Sequence, residues 1–376
     1  MNAYLQQVSR SLAELSRFSA VNIVMGNESC DLDSTISALV YAYLLYSEMS
    51  VDAKETVTVI PLLKILKKEF PLKTEVTYYL KKNGIPMDLL VFWDSINLKE
   101  LQMTSRLKLT LVDHHVLSPE AEFLCSSVVE VIDHHPQDPA WLWPMQKVTL
   151  TTVGSCCTLV ASEVVQRCPG LISSQVAMLL YGPIILDTAC FSQTAGRTTE
   201  LDLKMAMELE NRGVDSTRRE KLFQELLAAR SDVSNLTPSQ LLEKDMKITL
   251  GIPVPGLPML VQEFVAYPDV TEALKKFCAE RETNVTVLMG LLIDGDQIQR
   301  DIAVFSSAEP RIAQEVIKCL MNSTDPALQL ESFEVASENH IPGLQLFRQL
   351  NAKASRKQVL PIVRCAAECI VKRCQK

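Results

Sequence analysis

The chain has 376 residues, a formal charge of -8 and 47% hydrophobic side chains, which suits two packed domains of about 100 to 200 residues each and excludes a disordered chain. The acidic balance argues against general nucleic-acid binding, because sequence-independent affinity for a phosphate backbone needs a basic face. No apolar stretch reaches the ~18 to 20 residues that cross a bilayer, and Gly182 and Pro183 interrupt Val176 to Leu186, so membrane insertion is not expected.

Short runs rich in Val, Ile and Leu predict buried strands at Val21 to Met25, Val57 to Leu62, Leu89 to Trp93, Leu107 to Val112 and Val128 to Ile132. Helix-like stretches at Thr35 to Tyr46, Val153 to Arg167 and Ser173 to Leu186 alternate with them or follow them. That alternation predicts an α/β domain whose parallel sheet has helices on both faces. From Asn211 to Pro238 the pattern loosens into charged and polar sequence, which places a linker at 213–237 between domains at 1–212 and 238–376. Past it, strands are expected at Pro258 to Phe264, Val285 to Ile293 and Asp301 to Phe305, with helices at Thr271 to Glu282, Arg311 to Met321 and Lys357 to Arg373. This makes the second domain smaller and mixed α/β.

The eleven cysteines lack zinc-site spacing, and the start of the chain has no signal-peptide pattern, which points to reduced thiols in the cytoplasm. Cys156, Cys157, Cys365, Cys369 and Cys374 fall in helical patterns and are expected to act as small buried hydrophobes.

The acids carry the chemical signal, because of where they fall. Asp31 and Asp33 follow the first strand, Asp113-His114-His115 the fourth, Asp133-His134-His135 the fifth, and Asp187 the apolar stretch ending at Leu186. Ligands of an open parallel sheet bind outside the carboxyl ends of its strands, so these groups are expected to converge on one crevice. Carboxylates gathered that closely raise one another's pKa unless a cation neutralises them. Oxygen donors with an imidazole suit Mg²⁺ or Mn²⁺, and shared aspartates suit two ions about 3.5 to 4 Å apart. A single Asp after a strand is usually a turn former or helix cap, and Asp33 before Ser34 fits that description. Yet of five histidines four sit in the two Asp-His-His triplets, and only His340 stands alone, as a surface residue.

At these residues the sequence resembles the DHH phosphoesterase superfamily, whose name is the triplet standing here as Asp133-His134-His135. It resembles most the prune-type branch, related to family II inorganic pyrophosphatases and cytosolic exopolyphosphatase. The likeness runs from GNESCDLDSTISA through LVDHH, VIDHH, VGSCCTLV and IILD to DMK and ASRKQVLP. It implies a DHH catalytic domain followed by a DHHA2-type substrate-binding domain. In the first, Asp31 and Asp33 hold different metals, Asp113 and Asp187 share the two ions, and His134 completes one site. His135 lies toward the substrate phosphate, Asp133 orients its neighbours, and His114 also faces the cleft. Asn27 stands where the pyrophosphatases have a metal-binding His, so it is expected to be a weak or indirect ligand and to disfavour strict pyrophosphatase activity.

The resemblance also assigns Lys247, Arg356 and Lys357 to the substrate. The Arg fork suits phosphate oxygens, Lys acts as a mobile point charge, and Ser355 opens a helix whose N-terminus favours an anion. Closure of the two domains is expected to bring these cations opposite the metals. The implied activity is short-chain exopolyphosphatase, acting on tri- or tetraphosphate through metal-activated water. Two alternatives remain open: a cyclic-nucleotide (cAMP) phosphodiesterase, or a signalling regulator that binds protein partners such as nucleoside diphosphate kinase. A cytoplasmic location is expected, with nuclear entry left open.

Overall fold

The apolar runs of the first half become a parallel sheet in the computed structural model, which describes residues 1–49, 56–294, 297–308 and 310–374. The chain divides into two units, Met1–Asp232 and Val233–Lys376. In order, the first contains α1 (Asn2–Ala13), β1 (Ala20–Met25), α2 (Leu32–Ser47), β2 (Val57–Leu62), α3 (Thr74–Lys82), α4 (Leu98–Met103), β3 (Leu107–Val112), β4 (Val128–Asp133), β5 (Lys147–Leu150), α5 (Cys156–Arg167), α6 (Ser174–Asp187), α7 (Glu200–Glu210) and α8 (Arg219–Ser231).

Its strands run in the order β2-β1-β3-β4-β5, every pairing parallel. Val21, Ile23, Val24 and Met25 of β1 are all fully buried, as expected of a central strand covered on both faces. The steps β1 to β2 and β2 to β3 move in opposite lateral directions, so right-handed crossovers carry α2 and α4 to opposite faces. The order reverses between β1 and β3. That reversal opens a crevice at the carboxyl ends of these two strands, where open α/β sheets bind ligands.

Two expectations for this unit are corrected. Leu89 to Trp93 is not a strand: one parallel bridge joins Leu63 to Phe92, and the Phe92 N–H is captured by Ser95 Oγ at 3.2 Å, which closes a local turn. The expected linker is largely ordered, because Arg219–Ser231 is helical and buries Leu222, Leu226 and Ala229. Their i, i+4, i+7 spacing is a core-facing stripe, obscured in the sequence by the charges around it. The division between the units falls after this helix.

The second unit contains α9 (Pro238–Lys244), β6 (Met246–Thr249), β7 (Ile252–Leu257), α10 (Val261–Phe264), α11 (Val270–Glu280), β8 (Val285–Asp294), β9 (Gln297–Ser306), α12 (Pro310–Met321), β10 (Leu330–Phe333), β11 (Leu344–Gln349) and α13 (Arg356–Cys374). Its sheet runs β10-β11-β9-β8-β7-β6, antiparallel except where β7 meets β8. The core brings Val254, Val287, Ile302, Val304 and Phe347 against Val316, Val359 and Val363 of α12 and α13.

Pro258 to Phe264 is not a strand here. β7 ends at Leu257, and the next turn becomes helical because the Asp301 carboxylate accepts the N–H groups of Val261 and Gln262 at 2.8 and 3.1 Å. Cys156 and Cys157 are buried, whereas Cys365 is exposed on α13, contrary to expectation; the side chains of Cys369 and Cys374 lie outside the described residues. Among the described residues, no helix is long and apolar enough to cross a membrane.

Candidate metal centre

The segment after β1 turns sharply into α2, and Gly26 makes the turn fit: a Cβ there would lie 2.3 Å from Ser34 Oγ. The Asn27 N–H donates to that hydroxyl at 2.7 Å. Across the crevice, the Asn27 amide donates to Asp113 Oδ2 at 2.8 Å and to the Asp113 carbonyl at 3.1 Å, joining the ends of β1 and β3. The Asn27 side-chain oxygen is turned away and accepts from Ser29 Oγ and the Cys30 N–H. Asn27 therefore reaches the acidic cluster through Asp113.

Asp31 caps α2, accepting the Ser34 N–H at 3.0 Å. Asp33, in the first turn of α2, is buried and lies against the start of α5: it accepts Ser155 Oγ at 2.7 Å and the N–H groups of Cys156 and Cys157 at 2.6 and 2.8 Å. The VGSCC segment is thus a cradle for one carboxylate. It is anchored in turn by buried Asp202 of α7, which accepts the Gly154 N–H at 2.9 Å and Thr158 Oγ1 at 2.5 Å.

Asp113 sits at the end of β3 with φ +61, a left-handed conformation unusual for a non-glycine residue. Its Oδ1 is buried without a hydrogen-bond partner, 3.2 Å from His134 Nε2. His134 Nδ1 is 2.9 Å from the Val153 carbonyl, which places a proton there and turns Nε2, a lone-pair site in the neutral ring, toward Asp113 and, at 3.8 Å, Asp33. A lone pair aimed at two carboxylates is repulsive unless a cation lies among them. A ligating imidazole whose other nitrogen binds a carbonyl is the usual arrangement at a metal.

Asp187 ends α6 rather than a strand, and three successive left-handed residues, Ala189, Cys190 and Phe191, follow it. Burial, and then the charges of Asp33, Asp31 and Asp113, push its pKa well above the carboxylate range. Burial, then Asp33 and Asp31, do the same to Asp113, and burial also raises Asp33. The donor set fits a divalent cation, since these acids raise one another in the absence of one.

Asp133 plays another part, although it lies within 4.8 Å of the ligand atoms of Asp113, His134 and His135. Its side chain has no solvent exposure, and its Oδ1 accepts the N–H groups of His134 and His135 and His135 Nδ1, while Oδ2 meets His115 Nδ1. Burial works to raise its pKa, but the hydrogen bonds from His135 and His115 outweigh it and hold Asp133 well below the carboxylate range. His135 is raised by its bond to Asp133, and its side chain is 53% exposed. His114 turns back onto β3: Nδ1 meets the Val112 carbonyl at 2.9 Å, Nε2 is buried without a partner, and burial lowers its pKa to about 4.

In the second unit, the Arg356 guanidinium holds Asp245 Oδ1 at 2.6 Å and also the Asp245 carbonyl. Gly256 lets it pass, for a Cβ there would be 2.8 Å from Nη1. Lys247 and Lys357 are exposed. The residue types drew attention to the acids, but not to Ser155, Asp202 or His115. The quoted VGSCCTLV segment and the second His of the first triplet were the available signals.

The DHH family N-terminal domain matches residues 22–184, and the DHHA2 domain matches residues 224–366. Human exopolyphosphatase PRUNE1 is 35% identical over 370 residues, covering 96% of this chain and 78% of its own length. Mouse protein prune homolog 2 is 28% identical over 378 residues, covering 100% of this chain and 12% of its own length. The manganese-dependent inorganic pyrophosphatase of Methanocaldococcus jannaschii is 29% identical over 245 residues, covering 60% of this chain and 66% of its own length.

Proposed function

The chain belongs to the DHH phosphoesterase superfamily, in its prune-type branch, and from that membership we propose that it is a metal-dependent exopolyphosphatase that releases phosphate from tri- or tetraphosphate. It is an enzyme of the hydrolase class. Asp31, Asp33, Asp113, His134 and Asp187 would hold two ions of Mg²⁺ or Mn²⁺, with Asp113 and Asp187 shared. Ions bound there supply a water that ionises near neutral pH and a Lewis acid for phosphoryl oxygens.

The chain's own residues do the rest. Val153 orients His134 through its carbonyl, and the amides of Cys156 and Cys157 hold Asp33 in register. With Nδ1–H donating to Asp133, a bond that also raises its pKa, His135 takes its second proton on Nε2 and can there donate to a phosphate oxygen. Lys247, Arg356 and Lys357 are assigned to neutralising the phosphates, Arg356 by its fork and the lysines as point charges.

The observation that carries this reading is the buried, unpartnered Asp113 Oδ1 beside the His134 Nε2 lone pair, at the switch point of the sheet. The test is phosphate release by the purified chain from pyrophosphate, tripolyphosphate, tetraphosphate and cyclic AMP, each with Mg²⁺, Mn²⁺ or EDTA. Tripolyphosphate and tetraphosphate are expected to be cut fastest, and EDTA to stop the reaction. Faster hydrolysis of cyclic AMP, or turnover indifferent to EDTA, would overturn the proposal.

A further inference from the structure

We propose that His115 is a positioning residue, which fixes through Asp133 the tautomer and orientation of the His135 ring. The inference rests on the reading of His135 as a phosphate-facing group and names what holds it in that state. His115 is buried, and the Asp138 N–H donates to its Nε2 at 2.9 Å. Nε2 is therefore an acceptor, so the ring proton sits on Nδ1 and donates to Asp133 Oδ2 at 2.5 Å. Trp143 Nε1 donates to the His115 carbonyl at 2.8 Å, which pins the backbone as well.

Asp133 passes the constraint on. With Oδ2 held by His115, Oδ1 is presented to the His134 N–H at 2.7 Å, the His135 N–H at 3.2 Å and His135 Nδ1 at 2.7 Å. Without the imidazole, one oxygen of a carboxylate with no solvent exposure is left without a donor. Such a group rotates to find another donor, and that rotation disturbs its bond to His135 Nδ1. The loop after the second triplet, through Asp138 and Trp143, thereby reaches the catalytic histidine by way of the first triplet.

The test uses the whole chain with ¹⁵N-labelled histidine rings, read without metal so that activity is not needed; five imidazoles keep the spectrum assignable. In the wild type, at a pH above the raised pKa of His135, its ring is expected as a single neutral Nδ1–H form. His115→Leu is expected to mix the tautomers of His135 while His134, held by the Val153 carbonyl, stays as it was. With substrate and metal, kcat for tripolyphosphate is expected to fall about 10- to 100-fold with little change in KM, as for a group supporting a ligating or reacting side chain. His115→Asn, which offers both an N–H and a carbonyl, is expected to recover part of the loss. Asp138→Pro removes the tautomer-selecting amide and leaves His115 in place, so it is expected to mix His115 and His135 together even if the Leu variant does not fold.

A His135 spectrum unchanged in His115→Leu, or in Asp138→Pro where His115 itself has changed, would overturn the relay. So would a drop in kcat with His135 still in one form. A wild type inert on tripolyphosphate would remove the proposed function, and the ring spectra would still decide the relay.

Discussion

The acids of the first unit and the cations of the second are held in different ways. Asp33, Asp113 and Asp133 are buried, and backbone or side-chain amides, hydroxyls or imidazoles engage oxygens of each, leaving Asp113 Oδ1 unpartnered. Lys247 and Lys357 are exposed, and only Arg356 is pinned, to Asp245. Burying several carboxylates together is unfavourable, so the sheet, α2 and α5 must supply their donors in advance, whereas an exposed lysine needs no such framework. Changes in the first set should therefore act on stability and metal affinity as well as turnover, and changes in the second on turnover or substrate binding with stability kept.

Asp187→Asn tests the contrast most severely. Loss of a shared ligand is expected to reduce phosphate release by at least the 10² to 10³ fold that follows removal of a single electrostatic donor. The same change should stabilise the metal-free protein. The carboxyl's pKa is raised when folded, by burial and by Asp33, Asp31 and Asp113. Its contribution to stability is therefore present below the unfolded value and is lost as pH rises through the folded one. Between pH 5 and pH 7.5 without metal, the wild-type Tm should fall more steeply than that of Asp187→Asn, and Mn²⁺ should raise the Tm of the wild type much more. Parallel melting curves, or equal gains with Mn²⁺, would mean that the cluster does not hold a cation.

Arg356 probes the second set where it is most constrained. Arg356→Ala is expected to lower kcat by about 10² fold, and Arg356→Lys to restore little, because a point charge cannot reproduce the fork. Gly256→Ala sharpens the point without touching the charge. The added Cβ would lie 2.8 Å from Nη1 and 3.1 Å from Asp245 Oδ2, so the guanidinium must shift. Displacement of about 1 Å can lower turnover by up to about 10² fold. If Gly256→Ala and Arg356→Ala both reduced Tm and left kcat intact, the Arg356–Asp245 pair would be a brace between the α9–β6 junction and α13 and nothing more.

The same division explains what could be read from the residues in order. The acids were legible because Asp31, Asp33, Asp113 and Asp133 follow apolar runs that become strands, and Asp187 follows an apolar run that becomes a helix. The strands at Val21, Val57, Leu107 and Val128 were legible because burial on both faces leaves continuous apolar runs. β5 was not, since its edge position leaves Lys147 and Val148 exposed and so removes the apolar signal. Contacts between distant segments left no periodic mark either. Ser155 meets Asp33 across 122 positions, and Arg356 meets Asp245 across 111. His115 looked like half of a repeated triplet, and its link to Asp133 depends on the pairing of β3 with β4.

Lys247 and Lys357 mark the smallest expected effect. Each is exposed, so the proposed contact to phosphate would be made in a medium close to bulk water, where two charges about 4 Å apart gain about 1 kcal/mol, roughly fivefold in an equilibrium constant. Lys247→Gln and Lys357→Gln should therefore raise KM for tripolyphosphate about fivefold each, with Tm unchanged and kcat nearly so. Salt separates this from a packing effect, because at 1 M ionic strength the Debye length is about 3 Å and the advantage of the wild-type lysines should nearly vanish. A KM difference that survives high salt would mean that the lysines are desolvated when substrate is bound, and the contrast between a buried acidic half and a solvated basic half would have to be withdrawn.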